Sequence, residues 1–150
     1  MKYILILSLI FCSLQDSVAQ NRTYKDSVDL ILKLTKRGNR IYHEKNFEGT
    51  RHYYYNKIQK QIVSVIYVPR KKHSAYEYHF INRQLVKMRL YLPYSMSPES
   101  IGKQMAAAYY FCNDKLADKI EINFPIIDID YYKVLGLELF DRAEKFLNLQ

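Results

Sequence analysis

The side chains best equipped for chemistry are four histidines, one cysteine in the last third of the chain, and a set of carboxylates. His43, His52, His73 and His79 all fall between residues 43 and 79. With Glu44 they have the donor types of a metal site, but no histidine stands three residues after His43-Glu44, as the zinc-protease helix requires. His73 closes the run Arg70-Lys71-Lys72-His73, whose charge repels a cation. No metal site and no cofactor is expected. Cys112 could act as a nucleophile if a histidine met it, yet it stands in an apolar stripe, where a thiol is buried and inert. Asp114, Asp118, Glu121, Asp128 and Asp130 could supply an acid/base pair. Asp114 and Asp118 interleave with Lys115 and Lys119, the pattern of an ion-paired exposed surface. The four glycines are not grouped, which excludes a Walker loop or a dinucleotide fingerprint. No catalytic residue is assigned, and the chain reads more as a binder than as an enzyme, the alternative being a small hydrolase with no recognisable motif. Asn21-Arg22-Thr23 matches a glycosylation sequon.

What remains is a surface. Glu77, His79, Lys87, Arg89 and Tyr91 alternate along two adjacent β-prone segments, so all five can share the outer face of one hairpin. Arg70, Lys71 and Lys72 lie at the end of the preceding strand. Arginine and aromatic side chains on a rigid sheet are the anchors that protein interfaces use. The net charge of +8 with 15 tyrosines and no tryptophan suits an acidic protein partner, or an anionic glycan or lipid. There is no specific nucleic-acid signal, and the oligomeric state is not legible.

The elements that would position this surface begin after a leader. Lys2, the apolar run Tyr3–Phe11 and the small residues Ser17-Val18-Ala19 form the three parts of an export signal. The expected division is a cleavable signal peptide over 1–19 and one domain over 20–150, secreted or periplasmic. Lipid attachment at Cys12 is disfavoured because Phe11, not a small residue, precedes it. Removing the leader takes away Lys2 and Asp16 and leaves the charge unchanged. Cys112 is then the single cysteine, so stability must come from a packed core rather than a disulfide.

Helical spacing of Val28, Ile31, Leu32 and Leu34 predicts a helix over about Tyr24–Arg37. Short strands follow at Arg40–His43 and Arg51–Tyr55, and a covered strand at Gln61–Val68, ended by Pro69. Ser74–Phe80 and Leu85–Leu92 form a hairpin. An odd, three-residue turn within Ile81–Gln84 would put Tyr76, Tyr78 and Phe80 on one face with Val86, Met88, Leu90 and Leu92, and set Glu77 beside Lys87 or Arg89. Ser97-Pro98-Glu99 opens a second helix with Ile101, Met105, Ala108, Cys112 and Leu116 on its inner stripe. A third helix runs from about Asp130 to Leu147. No internal repeat is evident. The expected fold is α+β: an antiparallel meander of about four strands, with an N-terminal helix and two C-terminal helices packed on one face.

The stretch Tyr76-Glu77-Tyr78-His79-Phe80-Ile81-Asn82-Arg83-Gln84-Leu85-Val86-Lys87 resembles small exported bacterial domains of the PepSY and β-lactamase-inhibitor-like kind. It has their aromatic strand, Asn-centred turn and Leu-Val-Lys return strand. Arg83 departs from the glycine usual in that turn. The resemblance implies a binding or inhibitory module.

Overall fold

The computed structural model describes residues 18–35, 39–70, 74–91, 105–122 and 127–148. Most of the expected leader, including Cys12, lies outside the described residues, as do Lys71, Lys72 and His73, the Ser97-Pro98-Glu99 helix start and the Asn21 side chain. A helix, α1 (Val18–Thr35), precedes seven strands: β1 (Asn39–Lys45), β2 (Gly49–Asn56), β3 (Gln61–Pro69), β4 (Ala75–Ile81), β5 (Gln84–Tyr91), β6 (Met105–Cys112) and β7 (Lys115–Glu121). A second helix, α2 (Ile129–Asn148), ends the chain. The strands form one antiparallel sheet in the order in which they occur.

The α+β class and the antiparallel meander hold, but the strand and helix counts do not. The sheet has seven strands rather than about four. The expected second helix is a hairpin over residues 105–121, so the described chain has one C-terminal helix, not two. Met105–Cys112 is apolar at every position, and such a run fits a helix stripe as readily as a strand covered on both faces. Tyr109-Tyr110-Phe111 favours the pleated form. Asn113 and Asp114 complete the turn with φ of 48° and 64°, the left-handed pair of a two-residue hairpin. The triple alanine lies in this strand, and Cys112 is buried at its end.

The helices also lie on opposite faces, not on one. Ala107, Tyr109 and Phe111 join Tyr53, Tyr78, Phe80 and Met88 in a core that includes Leu139, Phe140 and Ala143 of α2. Ala108 and Tyr110, of the other parity, pack with Val86 against Val28 and Leu32 of α1. The Tyr24 hydroxyl of α1 donates to the carbonyl of Phe111. Asp128 caps α2 by accepting from the Tyr131 amide at 3.0 Å.

The β4–β5 register holds in its pairs, while its cause differs from expectation. Tyr76 faces Leu90, Tyr78 faces Met88 and Glu77 faces Arg89. The turn has two residues, Asn82 and Arg83, with φ of 50° and 66°, rather than an odd number. A bulge restores the parity: Phe80 pairs with Leu85 and His79 with Lys87, leaving Val86 as the extra residue, so Val86 joins the α1-side cluster rather than the expected face of Tyr76, Tyr78 and Phe80.

The same device occurs three times, so the chain does contain an internal repeat. In β2–β3 the extra residue is Val63, and in β6–β7 it is Ala117. Each bulge follows two pairs after its turn. The repeat is visible in Tyr78-His79-Phe80-Ile81-Asn82-Arg83-Gln84-Leu85-Val86 against Tyr109-Tyr110-Phe111-Cys112-Asn113-Asp114-Lys115-Leu116-Ala117. Tyr53, Tyr78 and Tyr109 occupy equivalent positions and all are fully buried.

Two of these turns are tied to α2. Arg83 donates to Glu144 at 2.6 Å, and Lys133 donates to the Asp114 carbonyl at 2.6 Å. Between these ties α2 crosses the Tyr78 ring through Gly136. A Cβ at Gly136 would lie 2.4 Å from Tyr78 Cδ1. Gly136→Ala should therefore destabilise the fold by about 2 kcal/mol through overpacking, although alanine in an open helix would gain about 1 kcal/mol over glycine. Urea unfolding monitored by circular dichroism distinguishes the two signs.

Candidate functional site

The face that carries α1 presents two cross-strand rows of mostly polar side chains, built by antiparallel register alone. One row runs Tyr54, Ser64, His79, Lys87, Tyr110. The next runs His43, His52, Ile66, Glu77, Arg89. Tyr91 follows Arg89 by one pleat on β5 and faces the same way. Neighbours along a row are close enough to pair directly.

Glu77 is the centre of this face, its side chain only 13% exposed. The Tyr91 hydroxyl donates to Oε2 at 2.5 Å, and Arg89 Nη1 lies 3.4 Å from the same oxygen. His79 Nε2 lies 3.1 Å from Oε1. Burial raises the carboxyl pKa, but His79, Arg89 and Tyr91 together overcome it and hold Glu77 well below the usual carboxylate range. Burial, and then the same carboxylate, push the Tyr91 phenol up.

A second ionic group borders it. Lys87 is 1% exposed and donates to Asp29 of α1. Tyr110 donates to the other oxygen of Asp29 at 3.0 Å, and the Lys87 ammonium lies 4.6 Å from the Tyr110 ring centroid. Burial lowers the Lys87 pKa, with Asp29 opposing it. This trio clamps α1 to the sheet.

The structure therefore brings Glu77, His79, Lys87, Arg89 and Tyr91 onto one face, with a different use from that expected. They are turned toward one another and toward α1 rather than standing as an open, solvated row. Lys87 in particular is covered. Arg70 sits apart at the end of β3, exposed, its amide bonded to the Glu48 carbonyl at 2.9 Å. Asp29 and Tyr110 were not identified from the sequence. The local pattern around Asp29 is that of a helix, and only the crossing of α1 over β5 and β6 gives the residue its role.

The opposite face has its own ion pair at the β1 end. Arg142 of α2 grips Glu44 through Nε and Nη2, at 3.1 and 2.5 Å, and Tyr53 donates to the same carboxylate. Arg142 first, with Tyr53 helping against desolvation, lowers the Glu44 pKa.

Ser64, His79 and Glu77 lie in neighbouring positions reminiscent of a nucleophilic relay. Ser64 Oγ is buried and makes no hydrogen bond to His79, so the nucleophile–base contact is missing. Among the described residues no group of three or more His, Cys, Asp or Glu side chains could hold a metal ion. None of the described helices is long and apolar enough to cross a membrane.

No family model matches the chain, and no curated protein matches it. Among solved structures, a mutant S. aureus TarM crystallised with Fondaparinux, alpha-GlcNAc-glycerol and UDP aligns with a TM-score of 0.41 and 10% identity. The alignment covers 64% of this chain and 17% of that one. At that score the likeness assigns neither a family nor an activity.

The Glu77 network carries a pH signature. Its carboxyl pKa is depressed in the folded state, so its stabilisation is complete above the unfolded value of about 4.3 and is lost as pH falls below it. Glu77→Gln should cost about 3 kcal/mol at pH 7, because it leaves Arg89 and His79 without their anion. The variant should also show a smaller stability difference between pH 6 and pH 3 than the parent. Urea midpoints at the two pH values measure both effects.

Proposed function

We propose that the chain is an exported binding or inhibitory module that engages a protein partner through the α1-side face of its sheet. The observation that carries this reading is a half-buried apolar margin on that face. Val28 and Leu32 of α1 pack over Val86, Ala108 and Tyr110. Among the described residues the neighbouring cluster contains no helix residue: Ile66, Ala75 and Tyr91 are buried, and Tyr54, Val68 and Met105 around them are half-buried. Beside it Ile41 is 50% exposed, and Tyr54 and His52 are half-buried.

An apolar and aromatic patch next to a fixed arginine is the composition of an interface centre. The sheet beneath it is held in register by bulges, so little order would have to be gained on binding. The excess positive charge supports an acidic partner by steering encounter. Export rests on the leader-like residues 1–19. The five polar residues act in this reading as the rigid floor and margin of the surface, with Arg89 the cation at its edge.

The test is cross-linking and affinity capture of the C-terminally tagged chain in its native host. Two single variants are compared: Ile41→Asp in the patch, and Val134→Asp at a 54% exposed position on α2, across the sheet. One protein retained near stoichiometry by the parent and by Val134→Asp, and lost from Ile41→Asp, is the expected result. Nothing retained, or equal retention by all three, overturns the reading. Retention of anionic glycan or lipid in place of a protein moves the assignment to an envelope-surface binder.

A further inference from the structure

His43 and His52 form a direct cross-strand pair on β1 and β2. Their Nδ1 atoms are 2.8 Å apart, and the rings stand edge to face at 89° with centroids 4.9 Å apart. His43 is exposed and His52 half-buried, so the pair opens to solvent on one side. At 2.8 Å one imidazole carries the shared proton and the other accepts it. The same two nitrogens can instead hold one ion in common.

We propose that His43 and His52 form a two-nitrogen chelate for a divalent transition ion, with Cu(II) held most tightly because imidazole sites follow the Irving–Williams order. The 2.8 Å separation is that of the hydrogen bond between the two rings, and turning both lone pairs onto a common ion needs ring rotation about χ2, a soft torsion. Backbone register already fixes the Cα atoms, so the ligands are paired before the ion arrives. Imidazole donors without a carboxylate exclude magnesium and calcium. Lys45, on the same strand face, is exposed and free to turn its ammonium away into water. Water, or a donor from a bound molecule, completes the coordination, since the described chain brings no third ligand. This site stands independently of the protein-partner reading.

The test is titration of the untagged full chain with CuCl2, followed by electron paramagnetic resonance and by calorimetry, with MgCl2 as the control salt. Expected are one ion per chain with a two-nitrogen signature and no response to magnesium. His43→Ala and His52→Ala should each weaken binding about tenfold or more, because each removes one of two linked ligands. His73→Ala should not. His43→Ala changes an exposed residue and decides the matter alone if His52→Ala does not fold. No binding at micromolar CuCl2, or the same affinity and signature in His43→Ala as in the parent, overturns the proposal.

Discussion

The arrangement of this molecule depends on a parity constraint in its hairpins. A two-residue turn alone would pair the strands so that aromatic and charged residues of β4 and β5 alternate out of step. One extra residue in the return strand, Val86, resets the pleat. Tyr78 and Met88 then share the α2 side while Glu77 and Arg89 share the α1 side. Val63 and Ala117 perform the same correction in the flanking hairpins. With parity restored in all three, apolar rows extend across the sheet under α2, and the polar rows follow on the reverse without a separate device to place them. The cost of turning the chain through left-handed Asn82-Arg83 and Asn113-Asp114 is offset where Arg83 and the Asp114 carbonyl bind α2.

The two faces are stabilised by different physics. Under α2 the interactions are large rings in close contact: Phe80 with Phe140 at 4.5 Å and Tyr53 with Phe146 at 5.4 Å between centroids. Under α1 the apolar contact is small, Val28 and Leu32 on a few residues, and an ion pair between buried Lys87 and the partly exposed Asp29 supplements it. Removing Asp29 leaves the buried Lys87 with an uncompensated charge. The docking of α1 is therefore more conditional than that of α2, and the polar face is the one whose cover depends on ionisation.

Legibility in the sequence followed the range of the interaction. α2 was readable nearly to its ends, because Leu139, Phe140 and Ala143 repeat with helical period. The Glu77–Arg89 pairing was readable because it is local to one hairpin. Met105–Cys112 was misread because both faces of β6 are buried, which erases the alternation that marks a strand. The repeat escaped notice because its copies share turn and parity more than identity: Arg83 matches Asp114, and Val86 matches Ala117. Asp29 was invisible because its partners, Lys87 and Tyr110, are distant in the chain. Of the candidate site, the membership of one face was legible; its inward, mutually paired arrangement around Glu77 was not.

Strand order and chain order coincide throughout the sheet. Every strand therefore pairs only with the strand immediately before or after it, and no closure across the molecule is needed before a pair can form. Loop-closure entropy is correspondingly small for a sheet of this size, and contact order is low for a β-rich fold. Any adjacent strand pair can start the sheet, and the other strands can zip onto either side of it, as in a linear array of repeats. Assembly is then tolerant of where it begins, and a fault in one hairpin is confined to its own neighbours.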